Sequence, residues 1–141
     1  GLAGRLQWLG NWCFDVAHNP HAARYVASRL ARRPRPSRRI GLLGVLENKD
    51  AEALVEALEP AVDVWLPVGL AGPRGRSGEA LAESIARRGG ETLPPALSPA
   101  AAVEWLVSRL APDEEVLVCG SFVTVAGALE ALQGQRDDEL Q

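Results

Sequence analysis

Short, continuously apolar runs alternate along the chain with segments whose apolar residues recur every three or four positions. Apolar runs of this kind predict strands buried on both faces, and the three-to-four spacing predicts helices packed against them. The runs cover residues 12–17, 40–46, 62–68 and 116–119. Residues Leu6 to Leu9 can pair antiparallel with the first run across a turn at Gly10 and Asn11.

Helix starts follow several of these runs. Asn19 before Pro20, Asp50, Ser98 before Pro99, and Ser121 are residues that favour helix N-caps, and proline suits a first helical position. The alternation predicts an α/β fold: a Rossmann-like three-layer domain with a mostly parallel sheet, helices on both faces, about five parallel strands and one antiparallel strand. The expected organisation is an N-terminal segment 1–11, one domain over 12–133, and a disordered acidic tail over 134–141.

Composition narrows the function classes. The chain has 141 residues and a formal net charge of −3. An acidic balance argues against nucleic acid as the main partner, and no apolar run approaches the roughly 18–20 residues of a membrane span. Lys49, the only lysine, does not stand in a G-x-x-x-x-G-K-[ST] motif, so the chain contains no P-loop.

Six arginines between residues 29 and 39 form the one cluster of basic residues in the sequence. We interpret them as a solvated helix end and a proline-stiffened loop in preference to a functional basic patch. Cys13 and Cys119 lack metal-ligand or disulfide spacing and lie in apolar runs, which predicts buried reduced thiols and suits a cytoplasmic protein.

Ligands of open parallel sheets gather at the carboxyl ends of the strands, and three loops of this chain are predicted to lie there: residues 15–20, 47–50 and 120–121. In the first, Asp15 ends an apolar strand and can accept two ribose hydroxyls, while His18 precedes a helix N-terminus, where N–H groups favour anions. The same two residues can equally serve only to fix the strand–helix turn.

The other candidate positions have simple structural interpretations as well. Ser121 can contact a ligand or only cap its helix, and Lys49 can be a site cation or a solvated lysine. Arg74 stands in a glycine-rich loop, 72–78, that can reach an anion or stay solvated.

Taken in order, five segments resemble a known family. They are Gly4-Arg5-Leu6-Gln7, Asp15-Val16-Ala17-His18-Asn19-Pro20, Lys49-Asp50, and Gly72-Pro73-Arg74-Gly75, followed by the stretch from Leu117 to Val125 with its Gly-Ser-Phe-x-Thr-Val motif. Together they resemble the C-terminal domain of the folylpolyglutamate synthase/dihydrofolate synthase family, in the Mur ligase superfamily, over about Gly4 to Leu132.

The resemblance implies an ATP-dependent amide ligase that adds L-glutamate to dihydropteroate or folate through an acyl phosphate. It implies that Arg5 contacts ATP phosphate and Asp15 the ribose, and that His18, Lys49, Arg74 and Ser121 lie near glutamate or the interdomain cleft, with His18 the one candidate for a catalytic role. Mg²⁺ and the phosphate loop would belong to an N-terminal P-loop domain absent from this chain, so the chain alone is expected to be inactive.

Two alternatives remain open at this stage. One is the C-terminal domain of a cell-wall Mur ligase, although the Asp-x-x-His-Asn-Pro motif favours the folate branch. The other is a non-enzymatic α/β binding module, in which the same turns serve only as helix caps.

Overall fold

Five strands and five helices follow one another along residues 5–140, the residues that the computed structural model describes. The strands are β1 (Gln7–Leu9), β2 (Trp12–Phe14), β3 (Arg38–Leu43), β4 (Val64–Pro67) and β5 (Glu114–Cys119). The helices are α1 (Pro20–Leu30), α2 (Ala51–Leu58), α3 (Gly78–Arg87), α4 (Pro99–Val107) and α5 (Phe122–Glu139), with a 3₁₀ turn at Glu59–Ala61. Gly4 and the rest of the predicted segment before Arg5 lie outside the described residues.

The strands form one sheet in the order β1-β2-β5-β3-β4. β1 pairs antiparallel with β2, as predicted, and the pairs β2–β5, β5–β3 and β3–β4 are parallel. The described sheet thus has four parallel strands, fewer than the expected five. Beyond β4, the chain near Thr92 and Ala96 forms only isolated parallel bridges, because Pro94 and Pro95 between them have no N–H to donate to a ladder.

The helices cover both faces of the sheet, which confirms the predicted three-layer arrangement. α1, α2 and α3 pack on one face through residues such as Leu30, Leu54 and Ile85. α4 and α5 pack on the other face through residues such as Leu106 and Leu132. Each face has its own apolar cluster, and the strands separate the two clusters.

The predicted N-caps are confirmed. The side chains of Asn19, Asp50, Ser98 and Ser121 each accept a hydrogen bond from the backbone N–H three residues further on, and Ser77 caps α3 in the same way. Pro20 and Pro99 open their helices, where a missing N–H removes no intrahelical bond.

The structure differs from the prediction of a disordered acidic tail over residues 134–141. α5 continues through Glu139, so residues 134–139 are helical rather than disordered. Gln, Arg and Glu are good helix formers, and a helix already nucleated by packing at its start extends at little cost.

The arginine cluster is only partly solvated. Arg33, Arg35, Arg38 and Arg39 form ion pairs with Glu115, Asp63, Glu114 and Glu115 respectively. Arg39 is 4% exposed, which corrects the solvated interpretation at that position. Its buried guanidinium donates hydrogen bonds to the carboxylate of Glu115 and to the carbonyl of Ala61.

Both cysteines are buried and not joined by a disulfide. Burial raises the pKa of Cys13 to about 12 and raises the pKa of Cys119 as well. The thiols are therefore protonated at neutral pH. No helix within residues 5–140 is long and apolar enough to cross a bilayer.

Candidate functional site

The three loops singled out in the sequence meet at the carboxyl ends of β2, β3 and β5. The N–H of Gly120 donates to the carbonyl of Ala17 at 3.0 Å, and the N–H of Gly44 donates to the carbonyl of Cys119 at 3.3 Å. The first bond joins the loop after β2 to the loop after β5. The second bond joins the end of β5 to the loop after β3. The sheet thereby brings together residues more than 100 positions apart in the sequence.

Asp15 is almost completely buried and holds two backbone groups. Its Oδ1 accepts from the N–H of Ala17 and its Oδ2 from the N–H of Leu6, both at 2.9 Å. Burial raises the pKa of the carboxyl above its ordinary value, while the two N–H donors and the charge of Arg5 act in the opposite direction. The carboxylate therefore fixes the turn, and each oxygen keeps one further lone pair.

Leu6 owes its conformation to this contact. Its φ is +42°, a left-handed value that costs a non-glycine residue roughly 1–2 kcal/mol. The bond from Leu6 to Asp15 stabilises that conformation and so fixes the direction in which the chain passes from Arg5 into β1. Arg5 and His18 line the same cavity of about 250 Å³, together with Phe122.

His18 is oriented by its own loop. Its Nδ1 lies 3.1 Å from the carbonyl oxygen of Val16, and because a carbonyl only accepts, Nδ1 must carry the proton in this bond. Nε2 takes no part in this bond and stays available to a ligand. The ring of Phe122 lies beside it, with centroids 6.2 Å apart.

A second, smaller cavity adjoins the first. It measures about 190 Å³ and is lined by His18, Leu46, Lys49 and the segment 120–123. His18 and Phe122 contribute to both cavities, whereas Arg5 lines only the larger of the two and Lys49 only the smaller.

Ser121 belongs to this cavity mainly as a structural residue. It is 4% exposed, and its hydroxyl caps α5 through the N–H of Thr124 at 3.0 Å and bonds the hydroxyl of Thr124 at 2.7 Å. Thr124 in turn donates to the carbonyl of Gly44 at 2.9 Å. Gly120 has a φ of +113° and a Cβ there would collide with the same carbonyl. These contacts support the capping interpretation of Ser121.

Arg74 is separated from the other candidates. It lines neither cavity, and its backbone carbonyl accepts from the N–H of Glu47 at 2.9 Å. Two residues that the sequence analysis did not select are more closely tied to the site. Arg76 bonds the loop that carries Lys49, and Phe122 is 66% exposed beside His18.

The sequence contains little signal for either residue. Arg76 is one of two arginines in a glycine-rich loop, and nothing local distinguishes it from Arg74. Phe122 precedes the inward-facing Val125 by three residues, a spacing typical of a buried position. It is nevertheless 66% exposed, with its ring beside that of His18.

Apolar surface surrounds the site. Val123 is 52% exposed and Leu97 is 88% exposed, and both line a third cavity of about 470 Å³ next to the end of β4. Among residues 5–140 no group of three or more His, Cys, Asp or Glu side chains is arranged to hold a metal ion.

The fold and the site define an α/β domain whose ligand-binding side is the carboxyl edge of a parallel sheet, with shallow, open cavities in place of an enclosed pocket. The chain belongs to the family described as "Mur ligase, glutamate ligase domain", which its residues 4–122 match. The resemblance noted in the sequence is thereby confirmed at the level of the family.

Individual relatives agree with this assignment. The chain is 37% identical over 138 residues to a dihydrofolate synthase/folylpolyglutamate synthase of Escherichia coli, a match covering 96% of this chain and 32% of the relative. It is 33% identical over 152 residues to the protein of the same name from Mycobacterium tuberculosis, covering 96% of this chain and 30% of the relative. The chain thus spans about a third of the length of these relatives.

Solved structures share the fold. E. coli FolC in complex with DHPP and ADP superposes with a TM-score of 0.85 at 35% identity, covering 96% of this chain and 32% of that one. A bifunctional folylpolyglutamate synthase/dihydrofolate synthase with Mn, AMPPNP and L-glutamate bound gives a TM-score of 0.76 at 34% identity, covering 94% of this chain and 32% of that one. The roles predicted for Arg5, Asp15, His18, Lys49, Arg74 and Ser121 are not addressed by these likenesses and stay predictions.

Proposed function

We propose that this chain is the C-terminal domain of an ATP-dependent amide ligase that adds L-glutamate to dihydropteroate, folate or both. The observation that carries the proposal is the 37% identity to the E. coli dihydrofolate synthase/folylpolyglutamate synthase over 96% of the chain. The relatives from E. coli and M. tuberculosis are both dihydrofolate synthase/folylpolyglutamate synthases, which favours the folate branch over a cell-wall Mur ligase.

The arrangement at the carboxyl edge supports a half-site, that is, one half of a ligand site that a second domain would complete. In the proposed reaction an acceptor carboxylate takes the γ-phosphoryl group of ATP, and the glutamate amine displaces phosphate from the acyl phosphate to form the amide. An acyl phosphate must be protected from water, which a second domain closing over the open cavities would achieve. The exposed Phe122, Val123 and Leu97 would then be covered by a P-loop domain.

Within this half-site the residues take the following proposed roles. Arg5 supplies a positive charge toward ATP phosphate, and Asp15 accepts from the ribose hydroxyls with its remaining lone pairs. Lys49 and the Nε2 of His18 face the incoming glutamate or the interdomain cleft. Ser121 acts mainly by capping α5, and Arg74 would reach an anion only if its loop moved.

ATP chemistry of this kind uses Mg²⁺, which shields phosphate charge. The described residues provide no cluster of carboxylates that fits the ion, so we place it in the remaining part of the enzyme and assign no step to it here. The protein is predicted to work in the cytoplasm.

The test uses the complete protein that contains this chain. Purified enzyme is expected to couple ATP hydrolysis to L-glutamate addition on dihydropteroate or tetrahydrofolate, and not on a UDP-linked peptide. The 141-residue chain alone is expected to be inactive. Activity only with the UDP-linked peptide would establish a cell-wall ligase instead, and a complete protein without any ligase activity would support the binding-module alternative.

Asp15→Asn in the complete enzyme tests the nucleotide role. The amide keeps one acceptor oxygen for the turn but removes the negative charge, so we expect KM for ATP to rise more than KM for glutamate. Asp113→Asn, an exposed residue at the opposite edge of the sheet, is the matched control. Unchanged nucleotide kinetics in the Asp15 variant would restrict Asp15 to its structural role.

A further inference from the structure

Arg76 makes an unusual set of contacts with the loop after β3. Its Nη2 donates to the carbonyl of Lys49 at 2.9 Å and lies 3.3 Å from the carbonyls of Leu46 and Glu47. Its Nε donates to the carbonyl of Val45 at 3.3 Å. One guanidinium therefore contacts four carbonyls of residues 45–49, and no side-chain carboxylate is among these partners.

The two loops are also joined through their backbones. Leu46 and Gly75 form an antiparallel bridge, and the N–H of Glu47 donates to the carbonyl of Arg74 at 2.9 Å. These contacts fix one side of the loop after β3. Inside the loop the N–H of Lys49 donates to the carbonyl of Leu46 at 3.1 Å, and Arg76 supplies donors to this carbonyl and to those of Val45, Glu47 and Lys49. A buried or half-buried carbonyl without a donor is costly, so the guanidinium is a substantial part of what holds this loop in one conformation.

The loop matters because of what it carries. Leu46 and Lys49 form one wall of the cavity of about 190 Å³ that also contains His18 and Phe122. Lys49 is half-buried and takes part in none of the ion pairs found within residues 5–140. Its ammonium group is therefore available to an anionic ligand, and its position depends on the backbone that Arg76 bonds.

We propose that Arg76 is a positioning residue that holds residues 45–49 so that Lys49 meets an anionic oxygen group of a substrate next to His18. This inference rests on the proposed function. The anionic group is a carboxylate if it belongs to the amino acid and a phosphate if it belongs to the nucleotide. Arg76 does not line the cavity, and its Nε and Nη2 are committed to the loop, so it acts through Lys49 and not on the substrate.

The first test measures the loop directly in the complete protein. Amide hydrogen exchange over residues 45–50 is compared in the parent, Arg76→Ala, Arg76→Lys and Arg109→Ala. Arg109 is a matched control because it also bonds a backbone carbonyl, that of Trp105, at the far end of α4. We expect exchange about tenfold faster in Arg76→Ala, partial recovery in Arg76→Lys and no change in Arg109→Ala. Unchanged exchange in Arg76→Ala would overturn the proposal.

The second test separates a positioning role from general loosening. In the ligase assay, Arg76→Ala and Lys49→Ala are each expected to raise KM for one anionic substrate roughly five- to tenfold, with a smaller effect on kcat. The double variant should be no worse than Lys49→Ala, because Arg76 acts through Lys49. Additive effects, or equal losses toward both substrates, would contradict the proposal.

The two substrates serve as separate arms. A raised KM for L-glutamate would show that Lys49 binds the carboxylate of the amino acid. A raised KM for ATP would show that Lys49 binds a phosphate of the nucleotide. A complete protein without ligase activity would overturn the proposed function together with the anionic substrate, whereas the exchange comparison would still decide whether Arg76 holds the loop.

Discussion

The two edges of the central sheet treat charge in opposite ways. At the amino edge, Arg38 and Arg39 of β3 stand directly opposite Glu114 and Glu115 of β5, and the two cross-strand pairs close at 2.6 and 2.8 Å. At the carboxyl edge, Arg5, Lys49 and Arg74 form no ion pair with any other residue in 5–140.

The difference teaches where to look for function in such a domain. A basic cluster in the sequence is not by itself a binding surface, because neighbouring strands can supply its counter-charges. At the amino edge the arginines and glutamates neutralise one another in ion pairs, and these pairs contribute to stability. At the carboxyl edge, Arg5 and Lys49 line open cavities beside the exposed Phe122, as expected of the side that we propose meets a ligand.

Removing a buried ion pair at the amino edge should have the largest effect on the free energy of unfolding. Glu115→Ala removes the carboxylate that pairs with Arg39 and with the more exposed Arg33, and it leaves the buried Arg39 guanidinium with only the carbonyl of Ala61. We expect a loss of about 3–5 kcal/mol in the free energy of unfolding, measured by urea denaturation. Arg35→Ala, which breaks a pair whose arginine side chain is 70% exposed, should cost at most about 1 kcal/mol. Equal losses in both variants would show that burial does not distinguish the two pairs.

At the carboxyl edge, we expect stability to depend on close packing instead of on ion pairs. Gly120→Ala places a Cβ against the carbonyl of Gly44 and in a left-handed conformation, so we expect destabilisation of about 2–4 kcal/mol. Gly134→Ala is the control, since no heavy atom lies within 4 Å of its added Cβ and alanine favours the helix. Thermal and urea unfolding measure both. A neutral Gly120→Ala variant would mean that the junction of the three loops is not closely packed.

A smaller effect is expected from the hydroxyl network at the same junction. Thr124→Val keeps the shape of the side chain but removes the bond to the carbonyl of Gly44 and the bond to Ser121. The expected loss in unfolding free energy is about 1–3 kcal/mol. The reverse isosteric change at the exposed neighbouring position, Val123→Thr, should stay within about 0.5 kcal/mol. A cost for Val123→Thr as large as that for Thr124→Val would argue against the network.

The smallest expected effect is a pH dependence at Asp15. Because burial raises its pKa above the ordinary 3.8, the folded state holds this proton more tightly than the unfolded chain. As the pH rises from 3.8 through the raised pKa, Asp15 must therefore lower the stability of the folded state, whereas Asp15→Asn cannot. The difference in unfolding free energy, parent minus variant, should fall over this range. A difference that grows with pH would show that Leu6, Ala17 and Arg5 outweigh burial.

The sequence was a good guide to the elements and a partial guide to the site. Helix starts at Asn19 and Ser121 were predictable because capping is a local property of side chain and backbone. The strand ends were less predictable: β2 ends at Phe14 although the apolar run continues to Ala17, because Asp15 turns the chain. At the site, the loops were correctly selected, whereas Phe122 and Arg76 were not.

By itself, the sequence determined the α/β order, the antiparallel first strand and the family, since periodicity, caps and ordered motifs are properties of neighbouring residues. Only the tertiary structure decided which arginines are neutralised, that Ser121 is committed to its helix, and that Arg76 rather than Arg74 reaches the loop of Lys49. Those outcomes depend on which strands and loops become neighbours in space. Charge pairing, burial and loop positioning are set by contacts between distant segments, and no local pattern in the sequence records them.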